Sequence, residues 1–315
     1  MTSFPRKTAG STAESRTRPV AIDLRLGGLP GAISTYLVGG GEPTLVDPGP
    51  VTTLANLEAG LIQVGCQPSD VQRICLTHIH LDHAGCVGEW VRRHPHVEVF
   101  VHGDGAGHMA EPERLVKSTR RTFGDAHDRL WGEVLPVPRE NLNAWTEGSA
   151  HPAALEVVPA PGHIQHHLAY VHSHSGTLLA GDSLGIILAP GAPTHPATPP
   201  PSVQVDAWFA TLDRLADLGV GAVGVAHFGI HEDPLGRIGQ MREALMVLVE
   251  RVRNALRAGD FSDRDRFQRD TVELQSGIRD QAQVAEYFAA FGAGSDWDGV
   301  RFWLERNDTE FSRNS

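Results

Sequence analysis

Apolar positions in this chain come in short blocks separated by glycine and proline, and the period of each block predicts an element. Val20–Leu26 and Ala32–Val38 read as strands joined across the turn-rich break Gly27-Gly28-Leu29-Pro30-Gly31, and Thr44–Asp47 reads as a third strand closed by Pro48-Gly49-Pro50. Within Thr52–Val64 the residues Leu54, Leu57, Leu61, Ile62 and Val64 recur at helical spacing. A strand over Arg73–Thr77, a helix over Cys86–Arg93 and a strand over Val97–His102 follow. Later blocks predict two amphipathic helices, Val205–Leu218 and Gly236–Arg257, and further helices beyond Gly259 ending near Trp303. Short strands alternating with helices and hairpins point to a layered α/β protein. No internal repeat is found.

The densest chemistry follows the strand Arg73–Thr77. His78-Ile79-His80-Leu81-Asp82-His83 packs four metal-capable side chains into six residues. If this run is extended, side chains alternate, so His78, His80 and Asp82 project to one side and His83 to the other. Gly85 would let the strand end turn sharply into the next helix. Imidazole and carboxylate together suit zinc, with iron or manganese as alternatives. Each of three later islands also ends an apolar block beside a glycine: Pro161-Gly162-His163, Gly181-Asp182 and Ala226-His227-Phe228-Gly229. Ligands at several strand ends converge on one sheet edge, where a rigid scaffold can hold a metal site.

With Leu45-Val46-Asp47-Pro48-Gly49 in front, these pieces occur in an order that resembles the metallo-beta-lactamase superfamily. The resemblance spans residues 20–230 and implies an αβ/βα sandwich of two mixed sheets flanked by helices. It implies that His78, His80 and His163 hold one metal, that Asp82, His83 and His227 hold a second, and that Asp182 bridges them. Asp47 would lie beneath the metals, orienting a ligating imidazole. The implied activity is that of a hydrolase with two divalent metal ions, zinc foremost. A metal-bound hydroxide would attack a thioester, ester or lactone carbonyl, with Asp82 and Asp182 as the catalytic carboxylates. Antibiotic-hydrolysing members usually place a cysteine in the second metal site, and redox diiron members replace a core histidine with glutamate. Neither feature is present here. The best likeness is to the glyoxalase II-like thioesterases, from which the chain departs at Pro161-Gly162-His163-Ile164-Gln165-His166-His167, where His166 stands in place of a glycine. His166, His167 and His231 are candidate substrate contacts. The competing activities are a mononuclear iron persulfide-type dioxygenase, a phosphodiesterase and a non-catalytic ligand-binding protein of the same fold.

Composition narrows the partners. A formal charge of −11 over 315 residues argues against the basic surface that non-specific nucleic-acid binding needs. Cys66, Cys75 and Cys86 are odd in number and lack Cys-x-x-Cys spacing, so they read as reduced core residues, with Cys86 the one to watch for oxidation. No apolar run approaches the length of a membrane helix, and Met1 to Pro19 has basic residues without an apolar segment behind them. A cytoplasmic enzyme with a small-molecule substrate is expected. Residues 1–19 read as a disordered tail and 20–235 as the catalytic domain. Within that domain, 103–150 reads as a helical cap insertion whose Arg114, Lys117, Arg120, Arg121, Arg129 and Arg139 form either a solvated face or an anion patch. Ala189–Pro201 reads as a stiff proline-rich loop. Residues 236–315 read as a helical extension packed on the same domain or serving as a homo-oligomer contact.

Overall fold

A computed structural model describes residues 18–39, 41–152, 154–188, 191–276 and 280–311. Most of the proposed N-terminal tail, and Ala189 and Pro190 of the proline-rich loop, lie outside the described residues. The first sheet has six strands in the order β1 (Val20–Asp23), β2 (Ser34–Val38), β3 (Thr44–Val46), β4 (Arg73–Cys75), β5 (Glu98–His102) and β6 (Leu142–Trp145). Its β1–β2 and β2–β3 pairings are antiparallel and the remainder parallel. The second sheet joins β7 (Leu155–Pro159), β8 (Leu168–His172), β9 (Thr177–Leu179), β10 (Ala222–Val225) and β11 (Gly229–His231), with only β9–β10 parallel. Both sheets are therefore mixed.

Helices cover the outer faces. In chain order they are α1 (Leu54–Gln63), α2 (Leu81–Ala84), α3 (Val87–Arg93), α4 (Gly103–Ala110), α5 (Glu113–Phe123), α6 (His127–Trp131), α7 (Val205–Ala216), α8 (Pro234–Ala258), α9 (Asp263–Ser276), α10 (Gln281–Phe291) and α11 (Ala293–Asn307). Period-two alternation sorts the strand residues into layers. Leu37, Leu45 and Ile74 pack outward with Leu57, Leu61 and Trp90 of α1 and α3. Their neighbours Tyr36, Val46 and Cys75 face inward and meet Val157, Tyr170 and Leu179 of the second sheet. On the far side Val158, Ala169, Leu178 and Val223 pack against Trp208, Leu245 and Trp297. This is the expected αβ/βα sandwich.

Observed strands are shorter than the pattern predicts because the chain turns before the apolar block ends. Arg25 adopts a left-handed φ of 51° and stops β1, although the Leu24 amide still donates to the Ile33 carbonyl. The strands β6, β8 and β11 escape a reading of alternation. β6 is a short edge strand with two exposed residues in the middle, β8 starts directly behind the histidines 166 and 167, and β11 has three half-buried residues. Helices α4 to α6 occupy residues 103–131, and the same stretch of chain then returns to the first sheet as β6. Among the described residues no helix is long and apolar enough to cross a membrane.

The two sheets are also hydrogen-bonded to each other at one edge. The Ser34 amide donates to the Ala226 carbonyl at 2.8 Å and the Leu168 amide to Thr77 at 2.7 Å. Buried hydroxyls reinforce the seam: Tyr170 reaches the Leu76 carbonyl at 2.7 Å, and Tyr36 reaches Val225 at 2.6 Å and Gly229 at 2.9 Å. Replacing Tyr36 with Phe keeps the ring and removes the donor, leaving buried carbonyls short of a partner. Tyr36→Phe is expected to destabilise the fold by about 1–3 kcal/mol, read as a lower urea midpoint at unchanged m-value.

Candidate metal centre

Five of the seven proposed ligands sit just past the carboxyl end of a strand, at the hydrogen-bonded seam, and Asp82 and His83 lie in α2. His78 and His80 follow β4, His163 follows β7, Asp182 follows β9 and His227 follows β10. The extended reading of residues 78–83 does not hold. His80 is the last extended residue (φ −60°, ψ 149°), and the chain then turns into α2 from Leu81. Successive side chains diverge by about 100° on a helix rather than about 180° on a strand, so Asp82 turns towards His83, with Oδ2 3.5 Å from Nε2, and parts from the cluster of His78 and His80. Gly85 also has a different role from the one expected. Its backbone is ordinary right-handed helix, and a Cβ there would lie 2.5 Å from the Leu81 carbonyl oxygen and 3.2 Å from the Pro50 Cα, so the space suits glycine.

Two four-residue clusters result, His78–His80–His163–Asp182 and Asp82–His83–Asp182–His227, each with its donor atoms within 4.8 Å of one another. In the first, His80 Nδ1 lies 2.9 Å from His78 Nε2 and 2.8 Å from His163 Nε2. Asp182 Oδ2 is 3.4 Å from His163 Nε2 and 3.9 Å from His78 Nε2. In the second, Asp182 Oδ1 is 3.3 Å from His83 Nε2 and 3.5 Å from His227 Nε2, while Asp82 Oδ2 is 3.5 and 3.4 Å from the same two nitrogens. A tetrahedral ion with bonds of about 2.1 Å separates its ligands by about 3.4 Å; the second cluster keeps to that spacing, and in the first the histidine nitrogens stand closer, at 2.8 and 2.9 Å. Moreover, His83 Nε2 and Asp182 Oδ1 are buried without a hydrogen-bond partner. Such atoms are costly unless something else fills them, and the donor set fits a divalent cation in each cluster.

Electrostatics agree with a site built for cations. Burial drives the His78 imidazole well below its ordinary pKa, helped by the neighbouring His83 and His80. Burial and His163 bring His80 to about 3. In the second cluster burial pulls the same way but is outweighed: Asp182, Asp82 and Asp47 hold His83 well above its usual range, and Asp182 with Asp82 raises His227 to about 9. For both carboxylates burial acts upward and is overcome by the surrounding imidazoles, His83 first, leaving Asp82 and Asp182 strongly acidic.

Asp47 lies beneath both clusters. Its Oδ1 accepts the Thr77 amide at 2.8 Å, and its Oδ2 accepts the Thr77 hydroxyl at 2.7 Å and His83 Nδ1–H at 3.0 Å. His78 Nδ1 in turn lies 3.0 Å from the Thr77 hydroxyl. One carboxylate thus orients an imidazole of each cluster, directly on one side and through Thr77 on the other. Asp47 has a left-handed φ of 54°, a conformation that aspartate tolerates better than most residues. Gly181 (φ 52°) supports the same packing, since a Cβ there would stand 2.7 Å from the Thr77 hydroxyl and 2.8 Å from His167 Nε2.

A cavity of about 910 Å³ opens over the clusters, lined by His80, Asp82, His163, Asp182 and His227 at its floor. Of the three candidate substrate contacts only His166 lines it. His166 is buried, its Nε2 lacks a partner, and burial followed by repulsion from His102 lowers its pKa to about 4. His167 lies under the floor instead. It stacks on His78 at 5.0 Å, accepts the Asp182 amide at 3.2 Å through Nε2, and faces the Ser183 hydroxyl through Nδ1 at 3.3 Å. His231 binds the Phe228 carbonyl outside the cavity lining. Arg114, Ser118 and Thr122 of α5 line one wall, while Arg120 pairs outward with Asp128. Cys86 is not poised for oxidation: it is fully buried and burial pushes its thiol up to about 12.

Sequence reading missed the groups behind His163 and His227. His163 Nδ1 meets the Ala197 carbonyl at 2.8 Å, and His227 Nδ1 meets the Tyr287 hydroxyl at 2.9 Å. A backbone carbonyl and a tyrosine some 34 and 60 positions away leave no local signal.

A mixed-sheet αβ/βα sandwich with paired His/Asp clusters at one edge defines a metal-binding class of protein. The profile of the metallo-beta-lactamase superfamily matches residues 28–227, and the chain belongs to that superfamily, whose members are mostly hydrolases. It is 28% identical over 172 residues to the probable metallo-hydrolase YqjP of Bacillus subtilis (strain 168), covering 49% of this chain and 53% of that protein. It is 26% identical over 151 residues to the uncharacterized protein YobT of the same organism, covering 45% of this chain and 57% of that protein. The chain thus spans about half the length of these curated relatives. Among solved structures it is similar to the metallo-beta-lactamase family protein TTHA1429 from Thermus thermophilus, with 25% identity, a TM-score of 0.63, and 87% and 88% of the two chains covered. The fold is also that of the archaeal superfamily protein ST1585 from Sulfolobus tokodaii, at 19% identity, a TM-score of 0.64, and coverage of 90% and 98%.

If Asp182 serves both clusters, Asp182→Ala should abolish stoichiometric binding at both, as measured by elemental analysis. Asp47→Ala keeps every ligand and should weaken metal affinity by about 10–100-fold, measured by chelator competition.

Proposed function

We propose that this protein is a dinuclear metal-dependent hydrolase that cleaves a thioester, ester or lactone carbonyl of a small molecule in the cytoplasm. The observation that carries the reading is the division of Asp182: Oδ2 faces His163 and His78, while Oδ1 faces His83 and His227. His78, His80 and His163 would hold one cation and Asp82, His83 and His227 the other, with zinc the first expectation from this donor set. Bound divalent cations supply Lewis acidity, lowering the pKa of water towards 7 and stabilising oxyanion charge.

The chain's own groups do the rest. Asp182 sets the spacing between the clusters, and Asp47 fixes two imidazole tautomers, so that their Nε2 lone pairs face the centre. Asp82, with its side chain 11% exposed at the cavity floor, is the carboxylate best placed to take a proton from the reacting centre. His166, held neutral, presents a hydrogen-bonding nitrogen to substrate from the wall. The glyoxalase II-like assignment rests on the intact histidine core and on the absence of a cysteine from either cluster. The second cluster, with its orphaned His83 nitrogen, supports a dinuclear centre over a mononuclear iron one.

Elemental analysis of purified protein should give about two metals per chain, and a panel of thioesters, lactones and phosphodiesters should show turnover on the acyl compounds. Turnover confined to phosphodiesters, or oxygen-dependent turnover with iron, would replace the reading. His166→Ala should raise KM or change preference within the acyl panel while metal content stays at the wild-type level.

A further inference from the structure

We propose that the C-terminal helices α10 and α11 are working parts of the metal centre, with Tyr287 a positioning residue for the Asp82–His83–His227 cluster and Asp296 one for the His78–His80–His163 cluster. Both residues lie beyond the span matched by the superfamily profile, which ends at residue 227. The inference rests on the dinuclear reading of the site.

Tyr287 is 2% exposed, and its hydroxyl lies 2.9 Å from His227 Nδ1. The His227 ring is boxed edge-on by Tyr287 and Phe291, at centroid distances of 6.3 and 5.2 Å. The Ala32 carbonyl is the more distant partner of the same nitrogen, at 3.4 Å. The Ala32 carbonyl can only accept, so Nδ1 carries the proton, the phenol oxygen accepts it as the nearer partner, and Nε2 is left as the lone pair that faces Asp82 and Asp182. Helix α10 thereby holds the ring plane of a ligand.

Asp296 acts one step further back. His163 donates Nδ1–H to the Ala197 carbonyl, so its orientation depends on where the segment 195–198 runs. Asp296 fixes that segment at two points, with Oδ1 accepting the Thr198 amide at 2.6 Å and Oδ2 lying 2.8 Å from His195 Nε2. The Thr198 hydroxyl donates back to the Asp296 carbonyl at 2.8 Å. Helix α11 lies directly on this segment, because a Cβ on Gly299 would collide with the Thr198 carbonyl oxygen. Each cluster therefore has one imidazole steered from the C-terminal helices.

The test is zinc affinity by chelator competition, together with cobalt absorption spectra that follow each equivalent, using His227→Ala and His163→Ala to assign the two. Tyr287→Phe preserves the ring contacts, and Asp296→Asn preserves the shape. Tyr287→Phe should weaken the His227-side equivalent by about 10–100-fold and leave the other within about twofold, and Asp296→Asn should do the reverse. Wild-type affinities in both variants would overturn the inference while leaving the dinuclear reading intact. So would equal loss of both equivalents in step with a fall in metal-free melting temperature, since that is what a merely structural role gives. A wild-type chain that takes up no metal would overturn both.

Discussion

Seven imidazoles and carboxylates share one edge of the sandwich, and keeping them there is the constraint on which the structure turns. Burying so many charged or strongly polar groups is costly unless each finds a partner. Asp47 meets much of that demand. It accepts from Thr77 and His83 and, through Thr77, governs His78. Asp182 divides its oxygens between the clusters, and the far nitrogens of His163 and His227 go to the Ala197 carbonyl and the Tyr287 hydroxyl. The atoms that stay without protein partners, His83 Nε2 and Asp182 Oδ1, are those aimed at the places where cations fit.

The sandwich explains why such a site can be rigid. Its ligands come from loops of both sheets, so their spacing depends on how the sheets are fastened. They are fastened beside the ligands, through Ser34 to Ala226 and Leu168 to Thr77, with Tyr36 and Tyr170 reinforcing the seam. The helices beyond residue 227 then close the back of the site, and residues at the end of α10 and the start of α11 also line the cavity. Support and access are therefore coupled through the same segment.

One fold can host many chemistries, and the cavity wall is where they part. Here His166, the α5 stripe of Arg114, Ser118 and Thr122, and the prolines 199–201 surround a floor built from the two ligand clusters. The floor carries the metal-donor groups. The wall shapes what can reach them.

Which residues gather into the two clusters, and the layered fold, were legible in the chain alone, because the signals are local: His78 to His83 crowd metal-capable donors into six residues, and each later cluster member ends an apolar block at a glycine. That Asp82 parts from His78 and His80 was not legible, since it depends on α2 starting at Leu81. Nor could His167 and His231 be told from His166, because only tertiary packing puts His166 in the cavity and His167 beneath His78. Tyr287, Asp296 and the Ala197 carbonyl left no trace, because a hydrogen bond to a distant hydroxyl or backbone oxygen needs no motif. Periodicity and donor spacing are properties of neighbours in the chain. The orientation of a ligand is set by whatever the fold brings to its far nitrogen.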